Sequence, residues 1–260
     1  MSITIRTSAN SLSFALRNGE RDTDIVYEPY KMKAGIALAA NLRQAFADSP
    51  LLAMGHKRAV VLVDTPPMLI PSEEFDEQTA ARLYHHVNTR HTADNVVCTE
   101  VPELNATAAY AVGRDFQVVL RDHFDDISLQ PLMLPVWSRF FSESHDTLHR
   151  RLFCYMHDGK IDLTAFRRDR FSFSSSFGVT LAEDAVYFVL NAWKQLGMRQ
   201  ESDILVTAGT MPGRDNMLGE LGKFINNITR LDAKDTSGGE ATAHGVELPF
   251  DLQQLYNKQL

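Results

Sequence analysis

At 260 residues the chain is long enough for one large domain or two lobes, either of which can bury a full hydrophobic core. Its 44% hydrophobic and 23% charged residues exclude a disordered or fibrous protein, and a formal net charge of -7 disfavours nucleic acid, whose binders carry a basic surplus. With only two cysteines, Cys98 and Cys154, each in an apolar strand-like stretch, neither a disulfide framework nor a thiolate metal site is expected, and a reducing compartment fits.

The chain opens on Met1-Ser2-Ile3-Thr4-Ile5-Arg6, which lacks the apolar core of a secretory signal. No stretch approaches the roughly 18 apolar residues of a spanning helix, so a cytoplasmic protein without membrane insertion is expected. Ile3 and Ile5, then Leu12, Phe14 and Leu16, alternate with polar or small residues as strands with one buried face do. The turn through Ser8 to Ser11 makes them a hairpin. A third extended segment, residues 25–30, leads into a helical run carrying Leu38, Leu42, Ala45 and Phe46, ended by Pro50. Ala59-Val60-Val61-Leu62-Val63 is apolar without alternation, which suits a strand buried on both faces. A second helix carries Ala80, Leu83, Tyr84 and Val87 on one face.

Residues 95–146 hold strand-like pieces at 96–99 and 106–112 and helix-like pieces near 116–124 and 136–141; they read as an inserted or additional αβ segment. The first pattern then recurs. Leu152, Cys154 and Met156 alternate, turn at Asp158-Gly159, and continue through Ile161, Leu163 and Ala165. Phe171 and Phe173 mark a third strand. Thr180-Leu181-Ala182-Glu183 reads as a capping box before a helix carrying Ala185, Phe188, Val189, Ala192 and Leu196, with Gly197 placed to close it. The apolar strand Ile204-Leu205-Val206 and a helix carrying Leu218, Leu221, Ile225 and Ile228 complete the copy. The order strand, strand, strand, helix, strand, helix thus occurs twice, in an N-terminal half, 1–148, and a C-terminal half, 149–260. Residues 234–245 include Ser237-Gly238-Gly239 and read as a flexible loop, and 248–255 as a short element docking on the body.

Two copies of this order resemble the actin-like ATPase superfamily, which includes sugar kinases, chaperones and the bacterial cell-division and pilus-assembly actin homologues. More narrowly, the opening hairpin, the Thr65-Pro66-Pro67-Met68-Leu69-Ile70-Pro71 stretch and the Ile204-Leu205-Val206-Thr207-Ala208-Gly209 strand look like an uncharacterised bacterial family, domain of unknown function 3822. The resemblance implies an α/β fold of duplicated actin-like, or ribonuclease H-like, halves, each a mixed sheet with an N-terminal hairpin and covering helices. It also implies a candidate site in a cleft between them.

Active members of the superfamily carry an Asp and Gly-rich backbone in each half's hairpin turn, because N–H groups must approach the phosphates while carboxylates hold Mg²⁺. Here Thr7-Ser8-Ala9-Asn10-Ser11 has neither, although Ser8, Asn10 and Ser11 keep hydrogen-bonding groups for an anion. The second turn keeps Asp158 and Gly159, which also make a favoured two-residue hairpin turn without any ligand. Val206 to Gly213 resembles the strand end and Gly-Gly turn against which the adenosine packs, with Ala208 at the first Gly and Gly209 retained. Asp64 ends the first buried strand, close to where active members orient the attacking water. His145 and His149 have a metal-sharing spacing but no evident third ligand. No catalytic or metal residue is assigned.

A retained scaffold with lost phosphate and metal residues points to a non-catalytic module, a pseudo-ATPase without cofactor that binds a protein partner or self-associates. The alternative is a divergent ATPase or small-molecule kinase holding Mg-ATP, with Asp64, Asp158 and Gly209 as its best support.

Overall fold

A computed structural model describes residues 2–17, 25–145, 149–167, 170–231, 242–243 and 246–257. Contacts divide the chain into two compact units, Met1–Pro135 with Thr236–Leu260, and Val136–Asp235. Among the described residues no helix is long and apolar enough to cross a membrane.

The first unit is built on a five-stranded mixed sheet. Strands β1 (Ser2–Thr7), β2 (Leu12–Arg17) and β3 (Ile25–Tyr30) form an antiparallel meander. After helices α1 (Leu38–Asp48) and α2 (Pro50–Ala53), β4 (Arg58–Val63) joins parallel to β1. Next come β5 (Met68–Pro71), α3 (Glu77–Val87), β6 (Asn95–Val101) and β7 (Ala106–Val112), then α4 (Arg114–His123) and β8 (Asp126–Pro131), which lies parallel to β4. The sheet order is β3-β2-β1-β4-β8. One face, with Ile3, Ile5, Phe14 and Val61, packs under Leu42 of α1 and Val119 of α4, as the alternation predicts.

The other face departs from the sequence reading. Thr4, Arg6 and Ser13 alternate as a wet face would, yet all three are buried. The closing helix α8 (Phe250–Asn257) accounts for this: Asp251 pairs with Arg6, and the Tyr256 hydroxyl donates to Thr4 Oγ1 at 2.9 Å. The docking element at the chain's end therefore belongs to the first unit.

The extra segment runs from β5 to β7 and not from residue 95. It forms a separate antiparallel sheet, β5-β7-β6, on which α3 packs through Ala80 and Tyr84. Leu83 and Val87, expected on the same buried face, are 48% and 67% exposed because this small sheet covers only one side of the helix. The covering helix that matches the second copy is α4.

In the second unit, α5 (Met133–Ser144) leads to β9 (Arg151–His157), β10 (Lys160–Arg167) and β11 (Arg170–Gly178), again an antiparallel meander. Helix α6 (Ala182–Gln195), β12 (Ile204–Gly209), α7 (Arg214–Leu221) and β13 (Asn227–Arg230) follow. The order β11-β10-β9-β12-β13, with β12 parallel to both neighbours, repeats that of the first sheet. Leu152, Cys154, Ile161 and Leu205 pack with Val189 and Leu221 on one face. On the other, Phe140 of α5 stacks on Phe153 with centroids 4.6 Å apart, so α5 serves this sheet although the sequence boundary at 148/149 placed it with the first half. Helix α6 is capped differently from the expected box: the Asp184 carboxylate, not Glu183, accepts the N–H groups of Thr180 and Leu181 at 3.0 and 2.9 Å.

Strands β14 (Thr242–Ala243) and β15 (Val246–Glu247) pair with each other. The rest of the expected 234–245 loop lies outside the described residues, as does Arg168.

Candidate functional site

Each sheet presents a hairpin turn at the carboxyl end of its first strand, beside the end of its buried parallel strand. In the first unit this turn joins β1 to β2. Ser8 N donates to Ser11 O at 2.8 Å, and Ser8 Oγ accepts from Asn10 N at 3.3 Å and Ser11 N at 3.0 Å. The two hydroxyls lie 2.8 Å apart, and Arg6 Nη1 donates to Ser11 Oγ at 3.1 Å. Asp64, just past β4, donates its N–H to Thr7 O at 3.0 Å, which sets it next to the turn. Ser8, Asn10, Ser11 and Asp64 are thus brought together, but the amides that could face an anion are taken up by a side chain of the turn itself.

In the second unit the turn is Asp158-Gly159, both with positive φ, 44° and 74°, as a two-residue hairpin of this kind requires. His157 stands between two carboxylates: Nδ1 is 3.0 Å from Asp158 Oδ2 and Nε2 is 2.6 Å from Asp162 Oδ2. The ring donates to both only when protonated. Lys160 Nζ lies 3.6 Å from the same Asp162 oxygen. Burial pushes the Asp162 carboxyl up, but the His157 hydrogen bond, the Lys160 charge and a Ser176 hydrogen bond outweigh it and hold the group below its ordinary value.

Gly209 ends β12 with φ 73°, and a Cβ built there would meet Met156 O at 2.3 Å and the Tyr155 ring at 2.6 Å. The glycine is demanded by the neighbouring strand, without reference to a ligand. Ala208 is fully buried. Beyond them a polar groove of about 420 Å³ is lined by residues that include Thr210, Gly213, Arg214, Asp215 and Arg230. His145 and His149 join no third metal-ligating side chain among the described residues; His145 Nδ1 instead lies 2.7 Å from Phe141 O.

Arg6, Asp251, His157 and Asp162 are the site-proximal residues that sequence reasoning missed. In Ile3-Thr4-Ile5-Arg6 and Ile161-Asp162-Leu163 the alternation sets Arg6 and Asp162 on the face opposite the apolar positions, where they read as solvent-facing, so no local signal marked them.

The sequence matches the family described as Protein of unknown function (DUF3822) over residues 1–228. A crystal structure from Bacteroides thetaiotaomicron VPI-5482, of a protein with actin-like ATPase fold and unknown function, is 22% identical with a TM-score of 0.83, covering 98% of this chain and 95% of that one. The PilM-PilN type IV pilus biogenesis complex superposes with a TM-score of 0.53 at 14% identity, covering 99% of this chain and 98% of that one. Both likenesses establish the duplicated actin-like fold. No curated protein matches the chain.

Proposed function

Since the chain belongs to the DUF3822 family, whose function is unknown, its role is argued from its own residues, and we propose a non-catalytic actin-like module that binds a protein partner or self-associates. The observation that carries this reading is the β1–β2 turn. A phosphate cradle turns backbone N–H groups toward the ligand and needs carboxylates for the metal. Here the amides of Asn10 and Ser11 go to Ser8 Oγ, the turn has no carboxylate, and the nearby Arg6 is engaged by Asp251. That one similar solved structure is a PilM-PilN complex supports a protein partner. The proposal includes no nucleotide cofactor and a cytoplasmic location, which the free cysteines Cys98 and Cys154 support.

Titration with Mg-ATP tests it. No saturable heat, no phosphate release and no rise in melting temperature are expected, whereas a ligand at 100 times its Kd stabilises a native state by about 2.7 kcal/mol. Micromolar binding that Asp158→Ala abolishes would overturn the reading in favour of a divergent ATPase or small-molecule kinase, the alternative that the groove beside Arg214 and Arg230 favours.

A further inference from the structure

Strand β11 forms one edge of the second unit's sheet, and among the described residues no strand pairs with its outer side. The matching edge of the first unit, β3, carries Glu28 and Pro29 and has β14 lying against it, devices that keep sheet edges from pairing with other chains. On β11 the only charge is Arg170, at the strand's start, and the eight residues after it read Phe-Ser-Phe-Ser-Ser-Ser-Phe-Gly.

The ladder determines which backbone groups face outward. Val179 N donates to Gly159 O at 2.8 Å, and Lys160 stands opposite Gly178. Phe177, Ser175 and Phe173 are therefore the residues that bond inward to β10, because hydrogen-bonded pairs alternate in an antiparallel ladder. Ser174, Ser176 and Gly178 turn their N–H and C=O groups out. The side chains alternate as well: Phe173 and Phe177 pack against the core on the α6 side, where Phe177 stacks on Phe188 at 4.3 Å, and Ser174 and Ser176 lie on the opposite face. Beside Phe188, Tyr187 is left 64% exposed.

We propose that β11 pairs antiparallel with β11 of a second copy of this chain about a two-fold axis at Ser175, joining two five-stranded sheets into one. This deepens the self-association reading and rests on it. In that register Ser174 of one copy exchanges main-chain hydrogen bonds with Ser176 of the other, and Phe173 stands opposite Phe177. Aromatic meets aromatic on one face and hydroxyl meets hydroxyl on the other. Arg170 falls opposite Thr180, so no like charges oppose each other. A self-complementary strand of this kind fits a second copy better than an unrelated peptide.

The test uses the full chain. Sedimentation of the wild type should show a concentration-dependent dimer. Ser174→Pro removes an N–H that β10 does not use, a place where an edge strand tolerates proline, and should raise the dimer dissociation constant at least about tenfold; Ser174→Ala should change it less than about threefold. Ser175→Cys in a Cys98→Ser background should cross-link on mild oxidation, because a directly opposed non-hydrogen-bonded pair has Cα atoms about 4.5 Å apart, inside the disulfide window of about 4.4–6.8 Å. A dimer indifferent to Ser174→Pro and without the Ser175→Cys cross-link overturns this interface and leaves self-association standing. A chain that stays monomeric at every concentration overturns both and leaves only the partner-binding branch of the proposed function. Should Ser174→Pro lose its fold by circular dichroism, the cross-link alone decides.

Discussion

Arg6 and Asp251 stand 245 positions apart and form a buried ion pair: Arg6 Nε lies 3.0 and 2.9 Å from the two carboxylate oxygens, and the side chains are 5% and 0% exposed. The pair fastens α8 across the polar face of β1, next to the turn where an actin-like ATPase would need a metal-binding carboxylate. Charge is present at this place, but it is spent on structure.

Breaking the pair should cost more than replacing it. Asp251→Ala leaves a guanidinium buried without its counterion, and about 3–5 kcal/mol of stability should be lost in urea denaturation. The double variant Arg6→Met, Asp251→Leu should recover most of that loss, since two well-packed apolar side chains escape the desolvation cost. A single-variant loss below about 1 kcal/mol would mean that α8 does not dock on β1 as described.

Gly209 should tolerate no side chain. Its positive φ and the 2.3 Å approach of a Cβ to Met156 O, a backbone atom of the adjacent strand, leave no soft neighbour to yield. Gly209→Ala should lose more than about 3 kcal/mol or fail to fold. Gly213→Ala shares the φ of 73° but meets only Ala182 Cβ at 3.2 Å, and should cost about 1–2 kcal/mol. Equal melting temperatures for the two variants would contradict this account.

Asp203 makes the stability pH-dependent. Its carboxylate accepts Arg199 N at 2.7 Å and Arg150 Nη2 at 3.0 Å. Burial raises the carboxyl, but the Arg199 amide and the Arg150 charge prevail and hold it below its ordinary 3.8. A carboxyl depressed in the folded state contributes stability that is present above its unfolded value and lost as pH falls through its folded value. The gap between wild type and Asp203→Asn, about 1–3 kcal/mol for hydrogen bonds to a charged group, should therefore be flat near neutrality and close only below about pH 4. A gap that widens on acidification would show the sign to be wrong.

Apolar periodicity made the duplicated sheets legible. Ala59–Val63 and Ile204–Ala208 lack alternation because both run parallel between two strands under helices, and each takes the fourth place in its sheet. The β5–β7 subdomain was misplaced because β5 is only four residues long and ends in proline, while α3 has the same helical pattern as a sheet-covering helix. Arg6 was unreadable for a different reason. Its strand spacing marks it as solvent-facing, and the partner that buries it lies 245 positions away, beyond any local signal. The missing Gly and Asp of the first turn could be read directly, but the inward rotation of Ser8 that consumes the amides of Asn10 and Ser11 could not.

His157 offers the last test, because it is the main support of a buried carboxylate. Among the groups that lower the Asp162 carboxyl, its hydrogen bond ranks first, ahead of the Lys160 charge. His157→Leu removes that donor and keeps an apolar side chain against Tyr155, whose ring stacks on the imidazole at 4.4 Å. Asp162 then has Lys160 and Ser176 against the cost of burial, so its folded carboxyl value should rise above the unfolded one. A group shifted in that direction destabilises the charged protein and is relieved by protonation as pH falls. His157→Leu should thus lose about 2–4 kcal/mol at neutral pH, and the part of the loss caused by the charged Asp162 should shrink toward about pH 5, at higher pH than the Asp203→Asn gap closes. Adding Asp162→Asn should restore that part at neutral pH, and the gap between the two variants, both of which lack the imidazole, reads Asp162 alone. Urea midpoints of the wild type and the two variants between about pH 5 and 8 decide it: a gap between the two variants that does not change with pH would show that Asp162 keeps its proton equilibrium without the imidazole.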